Sequence, residues 1–324
     1  MKISYFFFSM VILFSGCSSN RDLFISKYTA VNPVSYTDVI YTGIRDTVLV
    51  STFSGRIAKR IRGTEKEMIV SKVDREIYSL AYNRNSKMIA ASTFEDGILL
   101  INADNGKIIK KIRLKSTWSN YILFSEDGKY LTAIDQKGNV YVWDAKNDYQ
   151  EVVLPADFPK GIIRSINKDD IAMIISRKWS SLWDLKSHTL LKSSPLNLNT
   201  FADMDKEGHY LSIDFNECHI YDSNSDKVLY TLKHPNWPLP NVENDQEIFD
   251  IPFHMQLTAG KFAGNKIYTA SIDRTVREWD KETGTLLRTI TAHKATVNKL
   301  RVSKDEKQVV SVDLKGGIHF LDVN

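Results

Sequence analysis

The sequence has few cysteines, few glycines and no long apolar run. Its 324 residues include two cysteines, Cys17 and Cys218, and 15 glycines. Two cysteines allow at most one disulfide, which excludes a disulfide-stapled scaffold. The one apolar stretch, residues 3–14, is shorter than the about 20 residues that a membrane-spanning helix needs. The chain must therefore fold around an apolar core of its own.

Charge is almost balanced, with 43 Lys and Arg against 39 Asp and Glu and a formal net charge of +4. The basic residues are spread along the chain, and no block of five or six like charges occurs. This pattern indicates a solvated surface and not a nucleic-acid-binding stripe, so we expect no nucleic acid among the partners.

Motifs of common catalytic sites are also missing. The sequence contains no HExxH, GxSxG, Walker A, GxGxxG or paired CxxC motif. Its seven histidines are dispersed, and His209, His219 and His319 fall in or beside strand-like runs, where a lone histidine is more often a satisfied polar residue than a ligand. We therefore predict a non-catalytic protein without a metal site or a cofactor.

The first 20 residues have the pattern of an export signal. Lys2 precedes the apolar run, and small residues follow it before Cys17. The "FSGC" sequence resembles the lipobox of bacterial lipoproteins, although that family prefers a small aliphatic residue where Phe14 stands. The resemblance implies a signal peptide over residues 1–16, a lipidated Cys17 and a tether over residues 17–22. The alternative is a soluble secreted protein with a chance cysteine.

The residue after Cys17 bears on localisation. Ser18 occupies the position at which, in the enterobacterial sorting rule, aspartate retains a lipoprotein in the inner membrane. The resemblance thus implies a protein of the bacterial cell envelope, lipid-anchored to the outer membrane and facing the periplasm.

A pattern of about 41 residues repeats through the chain. Each copy places a turn, an apolar strand, a second turn and another apolar strand before a closing Asp or its substitute. These closing residues are Ile61, Asn102, Asp144, Asp184, Asp222, Asp280 and Asp322. Their spacings are 41, 42, 40, 38, 58 and 42 residues, which indicates seven units of four short strands.

The pairs that close these units resemble the signature of WD-repeat β-propellers. The full pair occurs as Trp143-Asp144, Trp183-Asp184 and Trp279-Asp280, and a variant as Tyr221-Asp222. The resemblance implies an all-β fold, a seven-bladed β-propeller of four-stranded antiparallel blades over residues 23–324. It also implies a buried hydrogen-bond tetrad, for which His293 with Ser311 and Asp313, and Asp273 with Ser271, are the candidates.

The last repeat ends after its third strand, at Asp322. An open edge there would be a template for aggregation, so we expect residues 23–31 to supply the missing strand and close the last blade. Few residues separate that strand from Cys17. The strand would start on the face that carries the first-to-second and third-to-fourth strand turns, so we expect this face to lie toward the membrane.

Residues 234–254 interrupt the repeat and lengthen the interval between Asp222 and Asp280. They contain four of the eight prolines, which favour an extended shape that loses little entropy on binding. Apolar anchors alternate with acidic residues, and the candidate partner-binding residues are Trp237, Leu239, Phe249, Phe253, Glu243 and Asp245. The alternative is that these aromatic residues pack back on the propeller as a small core of the loop itself.

Together these features predict a monomeric, membrane-anchored scaffold that binds protein partners on the face opposite the tether. The alternatives are a propeller enzyme of hydrolase type with a site in the central channel, or an accessory factor in outer-membrane protein assembly. An enzyme would need carboxylates or amides from several first strands that converge on a metal.

Overall fold

The computed structural model describes residues 35–116, 118–223, 227–240, 248–253 and 255–324, and for residues 237–240 and 248–253 it describes the backbone alone. All regular elements in these ranges are strands, and the described residues contain no helix that is long and apolar enough to cross a membrane. The strands form seven antiparallel sheets and one two-stranded ribbon. The predicted signal peptide, Cys17, the tether and the closing strand at residues 23–31 lie outside the described residues.

Each sheet is one blade, built from consecutive strands. Blades 1 to 3 consist of β1 (Tyr36–Tyr41), β2 (Thr47–Thr52), β3 (Arg56–Ile61), β4 (Met68–Lys72), β5 (Ile77–Asn83), β6 (Met88–Thr93), β7 (Gly97–Asn102), β8 (Ile108–Ile112), β9 (Tyr121–Phe124), β10 (Tyr130–Ile134), β11 (Val140–Asp144) and β12 (Gln150–Glu151). Blades 4 and 5 consist of β13 (Ile162–Ile166), β14 (Ile171–Ile175), β15 (Trp179–Asp184), β16 (Thr189–Pro195), β17 (Thr200–Met204), β18 (His209–Asp214), β19 (Glu217–Asp222) and β20 (Lys227–Lys233). The ribbon, blade 6 and blade 7 consist of β21 (Trp237–Pro240), β22 (Ile248–Phe253), β23 (Leu257–Ala263), β24 (Lys266–Ser271), β25 (Val276–Asp280), β26 (Leu286–Ile290), β27 (Val297–Val302), β28 (Gln308–Asp313) and β29 (Ile318–Asp322).

The blades form a closed ring, and we name the strands of each blade a to d in chain order. The a strands of neighbouring blades contact each other and line a central channel, and β27 of blade 7 contacts β1 of blade 1. Because the strands alternate in direction, the d–a loops and b–c turns lie on one face, the d–a face. The a–b and c–d turns lie on the other, the a–b face.

Apolar packing fills the junctions between blades. Seven clusters of buried hydrophobic residues occur, one between each pair of neighbours, including a cluster of Tyr36, Val39, Val310 and Val312 where blade 7 meets blade 1. The b strands are covered on both sides, which is why strand β2 is buried along its whole length. The predicted all-β, seven-bladed propeller is confirmed, with three strands described for blade 7.

The seven closing residues of the sequence repeat are the last residues of the seven c strands. Most accept hydrogen bonds from peptide N–H groups of the c–d turn that follows. Asp184 accepts bonds from Lys186 at 2.7 Å and Ser187 at 3.1 Å, and these bonds hold the pKa of Asp184 below its usual range. The recurring Asp therefore fixes the turn that starts the outer strand.

The hydrogen-bond tetrad of blade 6 differs from the predicted one. Trp279 Nε1 donates to Thr269 Oγ1 at 2.8 Å, His234 Nε2 lies 2.7 Å from the same hydroxyl, and His234 Nδ1 lies 3.0 Å from Asp273. Burial lowers the pKa of His234 more than Asp273 raises it, so a neutral ring links the two partners. Ser271 instead donates to the carbonyls that precede β23. The predicted membership of Ser271 is thus wrong, because Thr269 is the residue that faces the indole.

Blades 7 and 4 show two ways of departing from this tetrad. In blade 7, His293 contacts Asp313 at 3.0 Å and Ser311 at 2.7 Å, without a tryptophan. Burial would raise the pKa of Asp313, but hydrogen bonds from His293 and from the Gly317 and Lys315 N–H groups hold it at about 2. In blade 4, Phe158 packs edge-on against Trp183, whose buried Nε1 has no hydrogen-bond partner among the described residues.

This difference predicts unequal costs for one substitution made in two blades. Trp279→Phe removes an N–H on which Thr269 depends, whereas Trp183→Phe removes an N–H that is unpaired. We expect Trp279→Phe to lower the free energy of unfolding by about 1–2 kcal/mol more than Trp183→Phe. Urea denaturation of both variants measures the difference, and equal losses would contradict it.

Candidate functional site: the d–a face

Exposed aromatic side chains are concentrated on the d–a face. Within the described side chains, the aromatic residues classed as exposed are Phe94, Trp179 and Phe215, at 36%, 52% and 62%. Phe94 and Phe215 begin b–c turns, and Trp179 follows the b–c turn of blade 4. Three blades thus present an aromatic ring to solvent on the same side of the molecule.

A cluster of aromatic rings joins blades 1, 2 and 3 on this face. Tyr78 and Trp118 stack with ring centroids 4.2 Å apart, and Phe53 and Phe94 lie 6.3 and 6.5 Å from Tyr78. Phe53 and Phe94 lie in the b–c turns of blades 1 and 2. Tyr78 lies at the start of strand β5, and Trp118 lies in the d–a loop that connects blades 2 and 3. Such contacts hold large apolar side chains in fixed positions near the surface.

The 234–254 insertion connects blades 5 and 6 on the same face. The sequence predicts a loop here, and the structure has an antiparallel ribbon of β21 and β22. The register pairs Trp237 with Phe253 and Leu239 with Phe249, so the four apolar candidates are brought together two by two. The acidic candidates Glu243 and Asp245 lie outside the described residues.

Both ends of the ribbon are attached to the b–c turn of blade 5. Asn216 Nδ2 donates to the His234 carbonyl at 2.7 Å, and the Leu257 N–H donates to the Phe215 carbonyl at 2.7 Å. His234 itself is buried in the tetrad of blade 6. The base of the ribbon is therefore fixed to the propeller beside the exposed ring of Phe215.

The opposite, a–b face has a different character. Its channel mouth is crossed by the a–b turn of blade 7, in which Lys304 lies 3.0 Å from Glu126 of blade 3 and Glu306 lies 2.7 Å from Lys206 of blade 5. Two cavities, of about 540 and 620 Å³, lie on the two sides of this turn. Tyr41 and Tyr82 line the first of these cavities, but none of the aromatic side chains that are exposed in the described ranges lies on this face.

One group on the a–b face has the composition of a metal site. Asp205, Glu207 and His209 bring their ligand atoms within 4.8 Å of one another. The Lys281 ammonium, however, lies 2.8 Å from Asp205 and 2.9 Å from Glu207, so one lysine already pairs with both carboxylates. A metal ion would have to displace this lysine.

The central channel contains two carboxylates, Asp38 and Asp203, on the described a strands. Asp38 Oδ1 lies 2.8 Å from Arg301, and its Oδ2 accepts the Leu80 N–H at 2.9 Å. Asp203 is held by Arg164 at 3.1 Å and Lys261 at 2.8 Å. Carboxylates bound in this way by cations do not form the converging ligand set that the enzyme alternative needs.

Cys218 lies in strand β19 with no exposed surface. Burial raises the pKa of its thiol to about 12. At neutral pH the side chain is therefore a thiol and not a thiolate, and it acts as a small apolar residue of the core between blades 5 and 6.

The aromatic residues of the b–c turns were missed by the sequence reasoning. A signal for them exists, because Phe53, Phe94 and Phe215 each follow directly the b strand of their blade. At this position Phe94 and Phe215 are exposed and Phe53 is half-buried, so none of the three belongs to the buried core. The other rings, Tyr78 and Trp118, occupy no recurring position and could be found only in three dimensions.

Comparisons with known proteins bear on the fold. No protein-family model matches the sequence, and no curated protein matches it. The WD40 β-propeller domain of Doa1 is similar in structure, with a TM-score of 0.64 and 15% identity over 88% of this chain and 92% of that chain. U3-55K gives a TM-score of 0.67 and 13% identity over 86% and 88% of the two chains. The chain therefore has the fold of a seven-bladed WD40 β-propeller.

Proposed function

We propose that this protein is a non-catalytic scaffold that binds a protein partner on its d–a face. The observation that carries the proposal is the location of Phe94, Trp179 and Phe215, the exposed aromatic side chains of the described part, on that one face. Aromatic residues concentrate binding energy at protein interfaces, and the fold in general suggests an interaction scaffold. The ribbon stands on the same face and extends the surface.

The contacts at the base of the ribbon and among the aromatic rings favour recognition by a surface that is ordered before the partner binds. The ribbon is attached through Asn216 and His234, and the Tyr78 and Trp118 rings stack. Side chains and backbone held in place before binding lose less entropy when a partner docks. A protein partner is favoured over a small ligand because the aromatic positions are spread over several blades.

A pair of substitutions tests this role of the face. We expect Trp179→Ser combined with Phe215→Ser to weaken capture of the partner at least tenfold, since truncating an interface aromatic residue costs roughly 2 kcal/mol or more. The matched control is Ile44→Ser, which removes an apolar side chain with 62% exposure from the a–b face. Quantitative affinity capture after cross-linking in intact cells compares the three proteins. Equal weakening by the control variant would contradict the assignment of the face.

We further propose that Cys17 is lipidated and tethers the propeller to the outer membrane on the periplasmic side. The support is the lipobox-like "FSGC" sequence and Ser18 after it. Two or three acyl chains anchor a protein stably where one chain does not. The wild-type chain is expected to incorporate an alkyne-labelled fatty acid in growing bacteria, and the Cys17→Ser variant is expected to incorporate none. Equal labelling of both would contradict the tether.

A further inference from the structure

Blade 4 has an open cavity of about 360 Å³ at its end on the d–a face, which we call the blade 4 recess. Pro159 and Lys160 line it from the loop between blades 3 and 4, and Ile174, Ser176 and Trp179 line it from the b and c strands of blade 4 and the turn between them. The Ser176 hydroxyl accepts the Trp179 N–H and donates to the Trp179 carbonyl, both at 3.1 Å. These bonds fix the backbone that carries the half-exposed indole at the wall of the recess.

A loop and not a long outer strand leads into the recess. The d strand of blade 3, β12, has two residues, whereas the other described d strands have five to seven. Residues 152–161 then run without a strand and bring Pro159 and Lys160 to the recess. Phe158 of this loop packs edge-on against Trp183 in the core. The apolar wall formed by Pro159 is therefore anchored to blade 4.

Unpaired cations surround the recess. Lys160 lines it, and Arg177 and Lys178 lie in the b–c turn directly before Trp179. All three are exposed, and none is in an ion pair with another described residue. The loop and the turn together contain one carboxylate, Asp157, and no carboxylate lines the recess. The surface around Trp179 is therefore positive.

The other exposed aromatic positions do not share this charge. The turn of Phe94, for example, includes Glu95 and Asp96, and Asp96 pairs with Lys111 at 3.3 Å. An anionic partner group would be repelled there, whereas beside Trp179 it would meet cations that have no counter-charge in the fold.

We propose that the blade 4 recess binds an acidic segment of the protein partner, whose apolar side chain packs on Trp179 and Pro159 while its carboxylates pair with Lys160, Arg177 and Lys178. The inference rests on the proposed function and adds the chemistry of the partner at one position of the d–a face. Charges around an apolar contact set the association rate, the salt dependence and the choice of partner. Proline suits an aromatic wall, because its ring is apolar and its backbone is already extended. An acidic segment that contains proline thus matches both the wall and the cations.

Fluorescence anisotropy of labelled synthetic peptides with the full chain tests the proposal. The probe is a peptide of alternating glutamate and proline, and the two comparison peptides carry glutamine or lysine in place of glutamate. We expect saturable binding of the glutamate peptide and at least tenfold weaker binding of the other two. Binding should also be lost between ionic strengths of about 0.1 M and about 1 M, because the screening length falls from ~10 Å to ~3 Å.

Substitutions of the turn locate the site. Arg177→Gln combined with Lys178→Gln is expected to weaken binding of the glutamate peptide at least tenfold. The matched control, Lys146→Gln with Lys168→Gln, removes two exposed lysines from the a–b face of blades 3 and 4 and should leave binding unchanged. Arg177→Glu with Lys178→Glu should instead bind the lysine peptide, a gain that misfolding cannot produce.

Absence of binding of the glutamate peptide to the wild-type chain, or equal weakening by the two glutamine variants, overturns the proposal. Binding of phosphatidylglycerol vesicles without binding of the peptide also overturns it and assigns the cations to a lipid surface. The capture experiment separates this failure from that of the proposed function. If Trp179→Ser with Phe215→Ser weakens capture and Arg177→Gln with Lys178→Gln does not, the face binds a protein of another chemistry; if neither pair changes capture, the proposed function fails as well.

Discussion

Replacing Asp38 with alanine is expected to destabilise the folded propeller by about 3–5 kcal/mol. The Asp38 side chain is buried, and its two oxygens bind Arg301 of blade 7, the Leu80 N–H of blade 2 and the Val39 N–H. Removing it leaves the Arg301 guanidinium without its partner beside Lys299, in a lining that is already positive. A loss of this size is a large part of the about 5–15 kcal/mol that stabilises a typical domain.

An uncharged residue provides the matched control for this prediction. Ser79 follows the bulge of its a strand as Asp38 does, and its hydroxyl accepts the N–H of Ile122 in the next blade at 3.3 Å. Ser79→Ala removes a neutral hydrogen bond, so we expect a cost of about 1 kcal/mol. Denaturation in urea measures both variants. A loss for Asp38→Ala no greater than that for Ser79→Ala would show that the charge pairing between blades 7 and 1 contributes nothing.

Replacing the ribbon by a short Gly-Ser turn is expected to abolish capture of the protein partner. The replacement should span residues 237–253, because His234 belongs to the tetrad of blade 6 and the carbonyl of Met255 accepts a bond from Ser271. The ribbon contains four apolar residues that pair across its two strands. Since a few such residues carry most of the energy of an interface, their removal should reduce binding more than tenfold.

The propeller itself should tolerate this replacement, since the ribbon forms a sheet of its own outside the blades. An unchanged thermal melting temperature and an unchanged Trp279 environment are the controls for folding. If the variant stays folded and captures the same partner as the wild-type chain, the ribbon is structural and recognition belongs elsewhere on the propeller.

The sequence predicts the propeller well because its period reflects a local physical unit. Four short strands and their turns cannot bury an apolar face alone, so the pattern repeats with each blade. Where Asp closes a unit, it accepts hydrogen bonds from peptide N–H groups two or three residues further along the chain. Because these contacts are local, Asp144, Asp184 and Asp280 can be recognised from the sequence alone. The long interval before Asp280 likewise reveals the insertion.

Contacts between blades are harder to predict from the sequence. The insertion separates His234 from the rest of blade 6, and this is why its role in the tetrad was missed. The charges of the channel come from strands that are far apart in the chain, so the pairing of Arg301 with Asp38 depends on closure of the ring. The Tyr78 and Trp118 stack joins blade 2 to the loop before blade 3, and no repeated sequence position marks these two residues.

The most direct measurement of the partner-binding face is photo-cross-linking in intact cells from two positions with equal exposure. A photoreactive phenylalanine derivative would replace Phe215 on the d–a face in one protein and Ile44 on the a–b face in another, each 62% exposed in the wild-type chain. We expect a discrete cross-linked protein partner from position 215 and none from position 44. A partner cross-linked from position 44 and not from position 215 would contradict the account.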